Sequence, residues 1–129
     1  MPLRITAFYA AVLAALFLLL SVRVIQARHR HQVALGAPHR AIERAVRAHG
    51  NFAEYAPLAL LLLALAETFG LAPVVLHGLG LALVAGRASH AWGISQEPEV
   101  LRFRAVGMAL TFGVIGVTAA VLLGLALFA

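Results

Sequence analysis

Apolar and polar positions divide the chain into four long apolar runs separated by polar stretches. Ile5 to Ile25 is apolar apart from Thr6, Ser21 and Arg23, a length that suits a membrane-spanning helix. Phe52 to Phe69 is the second run. Its helix is predicted to begin earlier, near Pro38 or His39, because Ile42, Ala45 and Val46 are spaced for an amphipathic first part. Gly70 and Pro73 end it. Leu71 to Ala85 is the third run and continues as GRASHAWG; ISQEPEVLR, with Pro98, reads as a loop. Val106 to Phe128 is the fourth run and carries no charge. The pattern predicts an all-α integral membrane protein, a four-transmembrane-helix bundle forming one domain, with spans at about 4–27, 39–69, 72–94 and 99–128. Glycines at 78, 80, 86, 107, 113, 116 and 124 fit close helix packing in lipid. The alternative for the first run is a cleavable signal peptide. It has a short basic start at Arg4, but it is long and has no clear small-residue cleavage site before the basic stretch, so a retained helix is expected.

Composition agrees. Of 129 residues 63% are hydrophobic, and mean hydropathy is +0.96. A soluble domain of this size has too much surface to stay so apolar. Without cysteine there is no disulfide, thiolate metal site or cysteine nucleophile. All ten basic residues are arginine, a bias that a GC-rich genome gives without functional meaning. The net charge of +5 is expected from cytoplasmic loops rather than from nucleic-acid binding, since no spaced basic and aromatic surface accompanies it. Arg28, Arg30, Arg40, Arg44 and Arg47 lie between or beside spans one and two, and Arg87, Arg102 and Arg104 lie around the loop between spans three and four. The loop ETFGLAP has no basic residue. Both basic loops fall on one side, which should be cytoplasmic, with both termini periplasmic.

Topology leaves several polar residues unexplained. Arg47, Asn51, Glu54 and Tyr55 stand at i, i+4, i+7 and i+8, one face of a helix, and Leu58 and Leu62 continue that stripe inward. Glu54 sits near the membrane boundary, where an unpaired carboxylate costs several kcal/mol, roughly 2.5–3.5 on insertion scales. It is expected to have a partner. Arg87 and His90, at i and i+3 on the third span, and Arg104 at the start of the fourth, are the candidates. Two explanations stand at this point. One is a structural ion-pair network that fixes helix register. The other is a polar pocket for an anionic or zwitterionic ligand, since several arginines around one acid leave positive charge in excess and arginine forks suit carboxylates. Other features point to little. His29 and His31 lack a nearby acid and give no metal site, His77 and Trp92 fit the membrane interface, and Ser89 and Ser95 have no base arranged as in a hydrolase. No glycine-rich phosphate loop is present.

The stretch ERAVRAHGNFAEYAPLALL closely resembles the signature of the MAPEG family, membrane-associated proteins in eicosanoid and glutathione metabolism. The family's arginine, asparagine, glutamate, aromatic residue and proline correspond to Arg47, Asn51, Glu54, Tyr55 and Pro57. GRASHAWG is similar to the third-helix motif, with Arg87 and His90 at its polar positions, and RAVGMALT to the start of the fourth helix. VIQARHR resembles the end of the first helix. The likeness covers nearly the whole chain and suggests a bacterial-type member. It implies a left-handed bundle assembled as a homotrimer, with glutathione bound between subunits near the cytoplasmic face. Known members conjugate glutathione to lipophilic electrophiles, reduce lipid hydroperoxides or isomerise a prostaglandin endoperoxide. Carried onto this chain, the resemblance makes Arg104 the thiolate-stabilising arginine, with Arg102 as the competing assignment. Arg28, Arg47, Asn51, Glu54, Tyr55, Arg87 and His90 become glutathione-binding residues. One position departs: several members have a second tyrosine where this chain has Ile94.

The expected function is therefore a glutathione-dependent transferase or peroxidase of the inner membrane, taking its lipophilic second substrate from the bilayer. A non-catalytic glutathione- or lipid-binding protein of the same fold is the alternative. A small proton-coupled exporter ranks last, because Glu54 is shallow and stands beside Arg47.

Overall fold

The computed structural model describes residues 2–128. They form four helices: α1 (Arg4–His31), α2 (Arg40–Thr68), α3 (Pro73–Ser95) and α4 (Leu101–Phe128). Successive helices pack on each other, α2 also meets α4, and α1 also meets α3; α1 and α4 do not touch. The middle of the bundle is thus α2 and α3, flanked by α1 and α4. The four-helix membrane bundle expected from the sequence is the observed architecture.

The helix ends follow from local chemistry. α1 runs four residues beyond the expected end of its span, to His31, because the basic residues of its last turn suit a helix C-terminus. It stops at Gln32, which takes the left-handed conformation at φ 56° while Val33 N–H donates to Arg28 O at 3.0 Å. α2 ends the same way at Gly70, φ 79°, where Leu71 N–H reaches Ala66 O at 3.0 Å. Pro73 then opens α3, where its missing N–H costs nothing. Pro57 lies inside α2 without ending it.

Three helices, α1, α3 and α4, are long and apolar enough to cross a membrane by their own composition. α2 falls short because Asn51, Glu54 and Glu67 lie within its apolar half. It packs against all three others, as α3 does.

The main core joins Leu13 and Leu20 of α1, Phe52, Ala56 and Ala59 of α2, Leu83 and Ile94 of α3 and Val114 of α4. A smaller one, Leu63, Ala66 and Leu76, fills the end near the α2–α3 turn. Only some glycines act as expected. Gly80 lies under the Tyr9 ring, and a Cβ on Gly107 would come within 2.5 Å of Gly86 O and 2.6 Å of His90 Cβ. Gly93, absent from the expected set, does the same work: its Cβ would fall 2.8 Å from Arg104 N. These contacts bring α3 and α4 together beside Arg87 and His90. A Cβ on Gly78, Gly113, Gly116 or Gly124 would meet nothing from a neighbouring helix within 4 Å.

Charge is divided between the two ends of the bundle. The end formed by the α1–α2 and α3–α4 connections holds every arginine but Arg4 and every glutamate but Glu67. At the other end the Glu67 carboxylate is buried. It accepts from Ile5 N–H at 3.0 Å and Thr6 N–H at 2.8 Å, two donors that the start of α1 leaves without helical partners. Glu67 is therefore a cap supplied by a neighbouring helix. Close by, the Tyr9 hydroxyl bonds His77 through Nδ1 and the carbonyl oxygen, both at 3.1 Å.

Candidate functional site

Arg87 is the centre of the arginine end. Its side chain is 1% exposed, the largest side chain so completely buried. Nε donates to Thr111 Oγ1 at 3.0 Å, Nη1 to Asn51 Oδ1 at 2.7 Å, and Nη2 faces Met108 Sδ at 3.3 Å. Nη1 also reaches the Asn51 carbonyl at 3.3 Å, and the guanidinium stands 5.9 Å from the Tyr55 ring centroid. All these partners are neutral. Among the described residues no carboxylate forms an ion pair with Arg87. A cation buried without a counter-charge is costly, and its hydrogen bonds offset only part of that cost.

The Arg87–Asn51 bond has a chemical consequence. Arginine only donates, so the amide oxygen of Asn51 must face it, and the amide N–H₂ is directed elsewhere. Asn51 is half-buried. On the same face of α2, Arg47 and Glu54 flank it one turn to either side, both 52% exposed at their side chains and 3.5 Å apart. A cation, an amide donor and a carboxylate thus follow one another along a single face.

The partner expected for Glu54 was an arginine or histidine on another helix. It is Arg47, on its own helix. That pair lies within α2 and fixes no register between helices. The ties between elements are others: Arg87 to Asn51 and Thr111, Arg44 to Glu97 at 2.5 Å, and a looser Arg40–Glu99 contact at 4.0 Å.

His90 is 3% exposed, one turn beyond Arg87, and lies within the electrostatic reach of Arg47, Arg87 and Arg104. Tyr55 is half-buried and meets the Phe112 ring edge-on, 5.4 Å between centroids. Arg104 Nη1 donates to Glu99 Oε2 at 2.7 Å, and its side chain is 35% exposed. Arg102 is exposed and forms no ion pair among the described residues. The fold therefore gathers Arg47, Asn51, Glu54, Tyr55, Arg87, His90 and Arg104 at one end of α2, α3 and α4. Arg28 stands apart: on α1, its Nη1 donates to Gly36 O at 2.7 Å and holds the following turn.

Sequence reasoning passed over Thr111, Met108 and Glu99. Thr111 had a readable signal, a hydroxyl in a span without charge, with Thr118 two turns further on the same face. Glu99 stood five residues from Arg104 and was read only as loop. Ile94, placed at a position where a hydroxyl would be expected to meet glutathione, is 4% exposed and packs into the main core.

Four helices crossing a bilayer, with arginine, amide and acid along one helix at the basic end, define an integral membrane protein with a polar site at one end. Residues 6–124 match the MAPEG family profile, and the chain belongs to the MAPEG family. It is similar to the inner membrane protein YecN of Escherichia coli K12, and to its counterpart in Escherichia coli O6:H1. Each is 33% identical over 109 residues, covering 84% of this chain and 82% of the relative.

Proposed function

We propose that this protein is an inner-membrane, glutathione-dependent transferase or peroxidase acting on lipophilic electrophiles drawn from the bilayer. The observation that carries the reading is the Arg47–Asn51–Glu54 face, with the Asn51 amide fixed by a buried Arg87 that has no counter-ion. The γ-glutamyl end of glutathione is an amino-acid zwitterion. Its carboxylate matches Arg47 and the Asn51 N–H₂, and its ammonium matches Glu54. The Arg47–Glu54 pair is half-exposed and weak, so a zwitterion that replaces both partners opens it at little cost. His90 and Tyr55 shape the inner wall, and Arg87 acts through Asn51 as a positioning residue.

Arg104 then holds the thiolate. A free thiol ionises near pH 8.5, and a neighbouring guanidinium favours the ionised form. Arg104 already carries Glu99 on one nitrogen, so the remaining N–H donors are those offered to sulfur. Arg28, remote within one subunit, joins the site from an adjoining one in a homotrimer, with the lipophilic substrate entering between subunits. The site faces the cytoplasm and both termini the periplasm, by the arginine distribution. A second reading, glutathione or lipid binding without turnover, is favoured by the neutralised state of Arg104.

Absorbance of the thiolate on adding glutathione to purified protein separates the readings. Turnover requires the signal in wild type, its loss in Arg104→Ala and its survival in Arg102→Ala. Stabilisation by glutathione with no thiolate signal would establish binding without activation. Loss in Arg102→Ala alone would move the thiolate partner by two residues.

A further inference from the structure

One charge in the chain is explained neither by topology nor by the glutathione reading. Arg23 lies within the apolar run of α1, flanked by the exposed Leu19, Val22 and Ile25. An arginine at such a place faces a partner or a polar cavity. Arg23 makes no ion pair among the described residues, and neither does Arg30, two turns further along the same face. What both face is a cleft of about 340 Å³ between the end of α1, the start of α2 and the α3–α4 connection. That is the lower end of ligand-sized pockets. Arg44 reaches it from α2, its side chain only 11% exposed and bonded to Glu97. Leu20 is the apolar floor, and Ala41, Ala45 and Ala48 present a face of α2 too small to fill the space.

The cleft holds three arginines against one glutamate, and that glutamate is largely exposed at 72%. The excess is positive and unneutralised. Arg23 and Arg30 are seven residues apart, about 10 Å along the helix axis. They therefore straddle the boundary between the apolar run and the basic loop, at the depth where a bilayer holds its phosphates. Arg28 belongs to another face and is engaged with Gly36.

We propose that the Arg23–Arg30–Arg44 cleft is a binding site for a phosphate ester, the headgroup of an anionic phospholipid, separate from the Arg47–Asn51–Glu54 face. Arg23 and Arg30 hold the phosphodiester, Arg44 stays tied to Glu97 as the inner wall, and the acyl chains lie along the apolar surface of α1 around Leu19 and Val22. Lipid rather than soluble phosphate is the occupant because Arg23, which lines the cleft, stands within the apolar run next to the exposed Val22 and one turn from the exposed Leu19.

The test is the thermal midpoint of delipidated protein in detergent, titrated with phosphatidylglycerol, phosphatidylcholine or inorganic phosphate. Phosphatidylglycerol should stabilise wild type and phosphatidylcholine should not. The Arg23→Gln/Arg30→Gln double variant should bind phosphatidylglycerol at least about tenfold more weakly, since each arginine near an anionic headgroup contributes on the order of a fewfold to tenfold. Arg4→Gln, at the other end of α1, should respond as wild type. Stabilisation by inorganic phosphate that disappears in the double variant would keep the anion site and overturn the lipid as its occupant. An unchanged phosphatidylglycerol response in the double variant, and in Arg30→Gln alone should the double variant not fold, would overturn the site. The glutathione response of both variants should match wild type. Its loss with an unaltered lipid response would also overturn the proposal and assign these arginines to the thiol site.

Discussion

Helix α2 carries a glutamate towards each end of its apolar run, and the two are held in opposite ways. Glu67 is buried and accepts from two backbone N–H groups of α1. The start of α1 leaves those donors without helical partners, so Glu67 joins α1 to α2. Glu54 is half-exposed, and its one ion-pair partner among the described residues is Arg47 at 3.5 Å on its own helix. It joins nothing to anything. The same side chain in the same helix is structural where it meets backbone donors under cover, and available where it meets a half-exposed arginine at the surface. The neighbourhoods match. The Glu67 end has one arginine, Arg4, while the Glu54 end has nine, among them a buried Arg87 that forms no ion pair among the described residues. One end is internally complete; the other is short of negative charge.

The largest expected effect probes that shortage. Asn51→Ala removes the 2.7 Å acceptor of a buried guanidinium and leaves Arg87 Nη1 with a longer backbone contact. Stability should fall by about 2–3 kcal/mol, the range for a hydrogen bond to a buried charged group. Adding Arg87→Met removes the stranded charge as well, and the double variant should recover most of the loss, as a buried ion replaced by an apolar side chain often does. Glutathione stabilisation should be absent in both. Chemical denaturation of the two variants in detergent measures the coupling. Additive losses would mean that Arg87 is not held through Asn51.

Glu67→Gln tests the complete end and should cost less, about 1–2 kcal/mol, by weakening a charged cap on the start of α1. The loss should be the same with and without glutathione. Hydrogen exchange at Ile5 and Thr6 should quicken while amides near Asn51 are unaffected. A loss that glutathione reverses would break the division between the ends.

The four helices were legible because apolar run length in a bilayer is a strong signal, and the face joining Arg47, Asn51 and Glu54 follows from helical spacing alone. Who pairs with whom was not legible. From the sequence Glu54 needed a partner and Arg87 was a free arginine, so joining them was the economical choice. In the fold Arg87 turns inward to Asn51 and Thr111, because glycines 86, 93 and 107 bring α3 and α4 close enough to bury it. Backbone approach of that kind depends on which faces meet, and a single sequence does not state it. Glu67 was hidden for the same reason. Its partners are backbone N–H groups, which have no side chain to advertise them.

The smallest effect is the most discriminating. Glu54→Gln breaks a half-exposed ion pair within one helix, and such pairs contribute about 0–1 kcal/mol. In the absence of ligand the variant should therefore melt close to wild type. A role in joining helices would predict a larger loss, and the geometry excludes that role because both partners lie on α2. Glutathione should separate the two proteins. If its ammonium meets Glu54, the neutral amide loses a charge-assisted contact, and added glutathione should raise the midpoint of the variant less than that of wild type, since a ligand stabilises only as far as it binds the folded state. Glu43, exposed in the first turn of α2 and without an ion pair among the described residues, is the matched control, and Glu43→Gln should follow wild type throughout. The measurement is the melting midpoint of the three proteins in detergent across a glutathione titration. Equal shifts in all three would remove Glu54 from the site and leave Arg47 and Asn51 to hold the ligand by its carboxylate alone.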